Sequence, residues 1–206
     1  MKPCRLALPR RQNPHMHMLE ALLAWQATAP DPAFEAAARS LLALARDRLI
    51  VDGAVREYFT ADWSPDPATG RVIEPGHLEE WAWLLTLAAG LGLDDGSAAH
   101  GLHRQATTHG RHDGFLIRET GPDGATLDAG RRLWAQTEAI RTGFALGDPE
   151  TPALIARTFE THLATEIPGL WIDSYEADGR SPDRAAPASS FYHLMTAFSE
   201  LLRSEA

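Results

Sequence analysis

Apolar residues return every three to four positions through seven stretches of the chain, 16–28, 32–49, 77–91, 97–109, 132–146, 152–167 and 189–203. That spacing places one face of a helix against a core, so helix dominates the expected structure. Three further stretches carry turn residues inside apolar or aromatic flanks: 55–73 around Pro67-Ala68-Thr69-Gly70, 115–127 around Pro122-Asp123-Gly124, and 171–181 around Ala177-Asp178-Gly179. Their pattern predicts short β-hairpins. Gly70, Gly124 and Gly179 lie 54 and 55 residues apart, which makes the pattern a repeat of one hairpin and two helices. Helix pairs that each bury one face must stack, into an open solenoid or a closed toroid. After each hairpin a helix opens with polar or aromatic residues, around His77, Trp134 and His193, and a toroid would bring these helix starts to one mouth. The segment from Asn13 to Glu20 has the same character without a preceding hairpin, as though the chain begins inside a repeat. Residues 1–206 read as a single all-α domain, a toroid truncated to about seven helices.

Composition narrows the function classes. The chain has 206 residues, 44% hydrophobic and 23% charged, enough for a substantial core and ordinary for a soluble protein. The apolar run from Trp81 to Leu93 is broken by Gly90 and Gly92 and is short of the roughly 20 residues that cross a bilayer. The N-terminal stretch has no signal-peptide core, and Cys4, the single cysteine, excludes an internal disulfide and a thiolate zinc cage. A cytoplasmic location is expected. A formal net charge of -9 without a Lys/Arg cluster opposes nucleic acid and anionic membranes as partners.

The segment Glu74-Pro75-Gly76-His77-Leu78-Glu79-Glu80-Trp81-Ala82-Trp83 carries the most chemistry. A Pro-Gly turn delivers His77 near a helix N-terminus, where free amides and the helix dipole disfavour imidazolium, so a neutral base is expected there. His77, Glu80 and Trp83 stand three apart and are expected to form one row of base, carboxylate and aromatic platform, a mixture that suits a sugar. The plainer reading makes His77 a polar helix cap and the tryptophans core. Trp134 and Glu138 repeat the sugar-compatible pair at i,i+4, against a core Trp beside a surface Glu; Ser189 and His193 share that spacing, as do Asn13 and His17. A lone His193 among Phe191, Tyr192 and Leu194 is otherwise a core residue. Their common phase in the repeat favours function. His100, His103, His109 and His112 match no metal signature and read as a solvated helix end and loop. Asp94, Asp95, Glu119 and Asp123 read as turn chemistry.

Together the segments Asn13-Pro-His-Met-His17, Glu74-Pro-Gly-His77-Leu-Glu-Glu80-Trp-Ala-Trp83, Arg132-Leu-Trp134-Ala-Gln-Thr-Glu138 and Tyr192-His193 resemble the N-acylglucosamine 2-epimerase superfamily, across nearly the whole chain. The Asn-Pro-His-Met-His form is most similar to its mannose and sulfoquinovose isomerase branch. The resemblance implies an (α/α)6 barrel and proton transfer on a ring-opened monosaccharide through a cis-enediol(ate), with no metal and no cofactor. His77 and His193 match the acid/base histidines. Asn13, His17, Glu80, Trp83, Trp134 and Glu138 are the expected substrate-binding residues. Family members have twelve barrel helices, so an inactive fragment, a homo-oligomer and a complement to a separate N-terminal half all remain open. Two other classes are weighed beside the isomerase: a glycoside hydrolase using Glu80 and Glu138, and a non-catalytic carbohydrate-binding helical repeat.

Overall fold

The computed structural model describes residues 8–182 and 185–204; Cys4 lies outside them. Seven α-helices follow in order: α1 (Asn13–Thr28), α2 (Pro32–Leu44), α3 (Pro75–Gly90), α4 (Ala99–Gly110), α5 (Leu133–Leu146), α6 (Thr151–Thr158) and α7 (Ala188–Ser204). Prolines at the first turns of α1, α2, α3 and α6 fit positions whose amides have no helical acceptor. Asp31 caps α2 by accepting from the Ala33 amide at 2.7 Å, and Gly147, in the left-handed region, ends α5. Helices α2 and α6 each run on into a π-helical turn, Ala45–Leu49 and Phe159–Leu163.

The helices form two layers. α1, α3, α5 and α7 pack side by side, and α2, α4 and α6 cover them from outside, α3 against α4, α1 against α2 and α5 against α6. This is an arc of an α/α toroid. Position in the arc explains the burial patterns. The first eight residues of α3 and residues Leu133–Gly143 of α5 are buried on every side, because each of these two helices meets two inner neighbours, an outer helix and strand segments. Those segments bury Glu79, Glu80, Gln136, Thr137, Glu138 and Arg141, polar groups that need partners in a dry interior. At the end of the arc α7 leaves Phe191, Met195, Phe198 and Leu202 exposed along one stripe.

The predicted hairpins are partly corrected. The turn at Gly124 joins strands Glu119–Thr120 and Thr126–Asp128, with Gly124 at φ +78°, as expected. The turn at Gly70 closes no hairpin: Tyr58–Phe59 pairs with Arg10–Arg11, Phe59 also bridges Pro65 across an earlier turn, and Gly70 is required because a Cβ there would meet the Asp66 amide at 2.4 Å. Around Gly179 a tight turn forms, but Ser174–Tyr175 pairs with Arg131–Arg132. Two other hairpins do form, Ile50–Val51 with Ala54–Val55 and Arg111–His112 with Phe115–Leu116, each turning on an Asp-Gly pair with both φ positive. That is the geometry of the turn that matches strand twist.

Candidate active site

The N-terminal turns of the four inner helices converge on a cavity of about 290 Å³ whose walls include Asn13, His17, His77, Glu80, Trp134 and His193. The structure thus brings together all the expected site residues except two. Glu138 stands just behind His193, and Trp83 lies in an adjoining groove, where the Arg141 guanidinium stacks on its ring at 3.6 Å. Trp83 is therefore not the platform of this cavity. The indole in this cavity is that of Trp134, which lies between the rings of His77 and His193, with centroids 4.9 and 5.5 Å away. The indole reaches this position because residue 76 is glycine: a Cβ there would meet the Trp134 ring and the Ala135 Cβ at 2.7 Å.

Each histidine is backed by a carboxylate. His77 Nδ1 bonds Glu57 Oε1 at 2.9 Å, and His193 Nδ1 bonds Glu138 Oε1 at 2.8 Å. Glu57 is held in turn by the Gln12 amide at 3.0 Å, and the Gln12 oxygen accepts from the Trp81 indole at 2.7 Å. Glu138 is held by Arg141 at 3.1 Å. Such supporting bonds fix ring orientation and decide which nitrogen faces the cavity. Asn13, the first residue of α1, contacts His77 Nε2 at 3.2 Å and His17 Nε2 at 3.5 Å. Gln136, between Trp134 and Glu138, is structural: it accepts from the Leu116 amide and donates to the Leu116 carbonyl.

Electrostatics correct one expectation. Burial pulls the His77 imidazole down, but the Glu57 carboxylate, with Glu74 and Glu80 behind it, outweighs burial and raises its pKa to about 10. His77 is an imidazolium at neutral pH, since two close carboxylates exceed the effect of a helix N-terminus. The Asn13 amide then has to present its oxygen to Nε2, an orientation that hydrogen bonding rather than the amide's shape decides. Glu74 is raised to about 7 by burial, and Glu80 well above the ordinary carboxylate value by burial and then Glu138. Glu20 moves the other way, its burial outweighed by bonds from His17 and Tyr192 and by Arg141.

Three groupings bring imidazole nitrogens and carboxylate oxygens within 4.8 Å of one another: His17, Glu20, Glu80; Glu57, Glu74, His77; and Glu80, Glu138, His193. None of His100, His103, His109 and His112 joins such a grouping among the described residues. His103 is nevertheless no solvated bystander. It donates to or accepts from Glu79, fully buried, at 2.8 Å and lies 3.4 Å from Asp148. No helix of the described residues is long and apolar enough to cross a membrane.

Sequence reading missed Glu57, Gln12, Glu20 and Arg141. Glu57 sits in a loop without helical phase, Gln12 matters only beside Glu57 and Trp81 of α3, and Glu20 and Arg141 are recognisable only once α1, α5 and α7 come together.

Comparisons with known proteins agree with this fold. Residues 2–197 match the family model described as N-acylglucosamine 2-epimerase. The mannose-6-phosphate isomerase of Rhizobium meliloti (strain 1021) is 36% identical over 218 residues, covering 94% of this chain and 55% of that protein. Among solved structures, a D-mannose isomerase superposes with a TM-score of 0.81 at 23% identity, over 98% of this chain and 58% of the other. The cellobiose 2-epimerase from Bacillus thermoamylovorans B4167 gives 0.83 at 19% identity, over 99% and 56%. The chain spans a little over half the length of these relatives, which agrees with an arc of seven helices. A cavity built from two carboxylate-backed histidines on an α/α toroid and a family match over nearly all its length lead to one conclusion: the chain belongs to the N-acylglucosamine 2-epimerase family.

Proposed function

We propose that this chain carries the proton-transfer site of an aldose–ketose isomerase or 2-epimerase acting on a monosaccharide such as mannose or its phosphate, with no metal or organic cofactor. One observation carries the reading: two histidines, each oriented by its own carboxylate, stand on either side of one indole in a single cavity. Trp134 offers an apolar surface to the sugar, and the histidines approach it from two sides. His193, its Nδ1 turned to Glu138, presents Nε2 as the base that removes the proton α to the open-chain carbonyl. His77, charged, stabilises the negative charge that develops on the substrate oxygens in the transition state and, in epimerisation, supplies the proton to the carbon. Returning the proton to the neighbouring carbon isomerises; delivering it from the opposite side to the same carbon epimerises. Asn13 and His17 bind the sugar hydroxyls. The names of the relatives support the hexose substrate class, and the length difference supports a complete site that includes residues from the rest of a barrel.

The hydrolase reading fits less well. Glu80 and Glu138 belong to a grouping whose atoms lie within 4.8 Å, too close for the roughly 6.5–9.5 Å of an inverting pair; a retaining pair, at about 5–5.5 Å, needs both carboxyl groups free for the sugar, and Glu138 is committed to His193 and Arg141.

The test is solvent deuterium entry at C1 or C2 of D-mannose, mannose 6-phosphate and N-acetylated hexoses in D₂O, followed by NMR. Exchange should fall by about 10² to 10⁴ in His77→Ala and in His193→Ala, while His112→Ala, an exposed side chain against Thr126, keeps most of it. Sugar binding without exchange, indifferent to both histidines, would make the chain a binding module. Equal losses in all three variants would remove the assignment of the two histidines.

A further inference from the structure

Glu80 has an environment that its neighbours do not share. Its side chain is 1% exposed, and neither carboxylate oxygen has a hydrogen-bond partner. The charged and titratable groups around it come from every inner helix: His17 and Glu20 from α1, His77 from its own α3, Glu138 and Arg141 from α5, His193 and Tyr192 from α7. The possible donors among them are already engaged. His77 is bonded to Glu57; Arg141 is shared between Glu138, at 3.1 Å, and Glu20, at 3.5 Å; His193 is bonded to Glu138. His17 stands 3.4 Å from Glu80 and 3.5 Å from Glu20, without a hydrogen bond to the former. Two buried carboxyl groups this close cannot both ionise, and the one without donors keeps the proton. Burial and Glu138 both act in that direction on Glu80.

We propose that Glu80 is a neutral carboxylic acid in the wall of the cavity and that it carries a proton between the two substrate oxygens during isomerisation. This rests on the isomerase reading above. As the base takes the C2 proton, the Glu80 O–H bond breaks and its proton passes to the carbonyl oxygen on C1, giving a neutral enediol and a Glu80 carboxylate. The carboxylate then takes the proton of the C2 hydroxyl as that carbon becomes the carbonyl, while the histidine returns its proton to C1. Glu80 ends protonated, and no outside acid is consumed. The two sites of proton movement, carbon and oxygen, are thus served by different residues.

Infrared difference spectra of the wild-type chain against Glu80→Gln, without sugar, test the first half. At pH 8 a carboxylic-acid C=O band should be present in the wild type and missing from the variant, which keeps a neutral group of the same shape. Deuterium entry and ketose formation, measured side by side, test the second half. The amide donates a hydrogen bond but cannot release a proton, so Glu80→Gln should slow ketose formation at least tenfold more than carbon exchange. Absence of the acid band overturns the proposal even if the wild type isomerises. An acid band that emerges only after EDTA treatment also overturns it, since Glu80 would then be holding a cation. A band with equal loss of exchange and product removes the proton-carrying role. A band with no exchange in the wild type overturns the isomerase reading, and the catalytic use of the proton with it.

Discussion

Replacing Glu57 by glutamine removes one charge and almost no volume from the pair that holds His77. In the folded chain that carboxylate accepts from His77 Nδ1 at 2.9 Å and from Gln12 at 3.0 Å, and both members of the ion pair are less than one-tenth exposed. Breaking a buried pair by removing one partner costs about 3–5 kcal/mol. His77 has an escape, because it can lose its proton. Discharging at pH 7 a group with a pKa of about 10 costs about 4 kcal/mol, which caps the loss. For a chain of this size about 3 kcal/mol lowers Tm by roughly 6–12 °C. The pH dependence identifies the cause. A histidine raised above its unfolded value stabilises fully below about 6.5 and loses that contribution as pH rises through about 10. The Tm gap between wild type and Glu57→Gln should therefore be wide at pH 7 and close above pH 10. Thermal melts followed by circular dichroism at both pH values measure it, and imidazole ¹⁵N shifts report His77 directly. A gap that stays constant across this range, or a variant in which His77 still titrates near 10, would refute the assignment of Glu57 as the source of the charge.

Two further outcomes follow from packing and burial. Gly76→Ala places a methyl within 2.7 Å of the Trp134 ring and Ala135, forcing α3 from α5; overpacking of this kind costs about 1–3 kcal/mol, and denaturant melts should show it together with a loss of sugar binding. Burial raises Glu79 to about 7, above its unfolded value of 4.5, so its ionisation destabilises the fold as pH climbs through that window. The slope of Tm against pH between about 4.5 and 7 should flatten in Glu79→Gln, and an unchanged slope would show that Glu79 stays ionised beside His103.

The helices were legible because amphipathic periodicity survives wherever one face meets solvent, as in α2, α4 and α6. The common phase of His77, Trp134 and His193 foretold their meeting, since each opens an inner helix. Trp83 lies outside the cavity for a geometric reason. Each step of three residues turns about 60° backward around a helix, so two steps carry Trp83 about 120° from His77 and more than a turn down the axis, into the adjoining groove. Two of the three hairpins were misplaced because turn residues inside apolar flanks mark a turn without saying that the strands on either side pair with each other. Gly70 serves close approach to a backbone and Gly179 a local turn, whereas Asp52-Gly53 and Asp113-Gly114 carry the paired positive φ values that a two-residue hairpin needs. The charge of His77 was illegible because it depends on Glu57, brought beside it by a loop.

The convergence of four inner helices on one cavity also has a kinetic consequence. His17 and His193 come within 6.4 Å of each other from near opposite ends of the chain, with His77 and Trp134 in between along the sequence. Local pairs such as Asn13 with His17 and Glu138 with Arg141 can form within one helix, but no contiguous segment contains both histidines of the pocket and their carboxylates. Helix pairs can assemble from local contacts early, but the closure of long chain loops delays the cavity until every inner interface is in register. The same dependence runs in reverse: the loosening of any one repeat disperses the whole pocket while most of the helix remains.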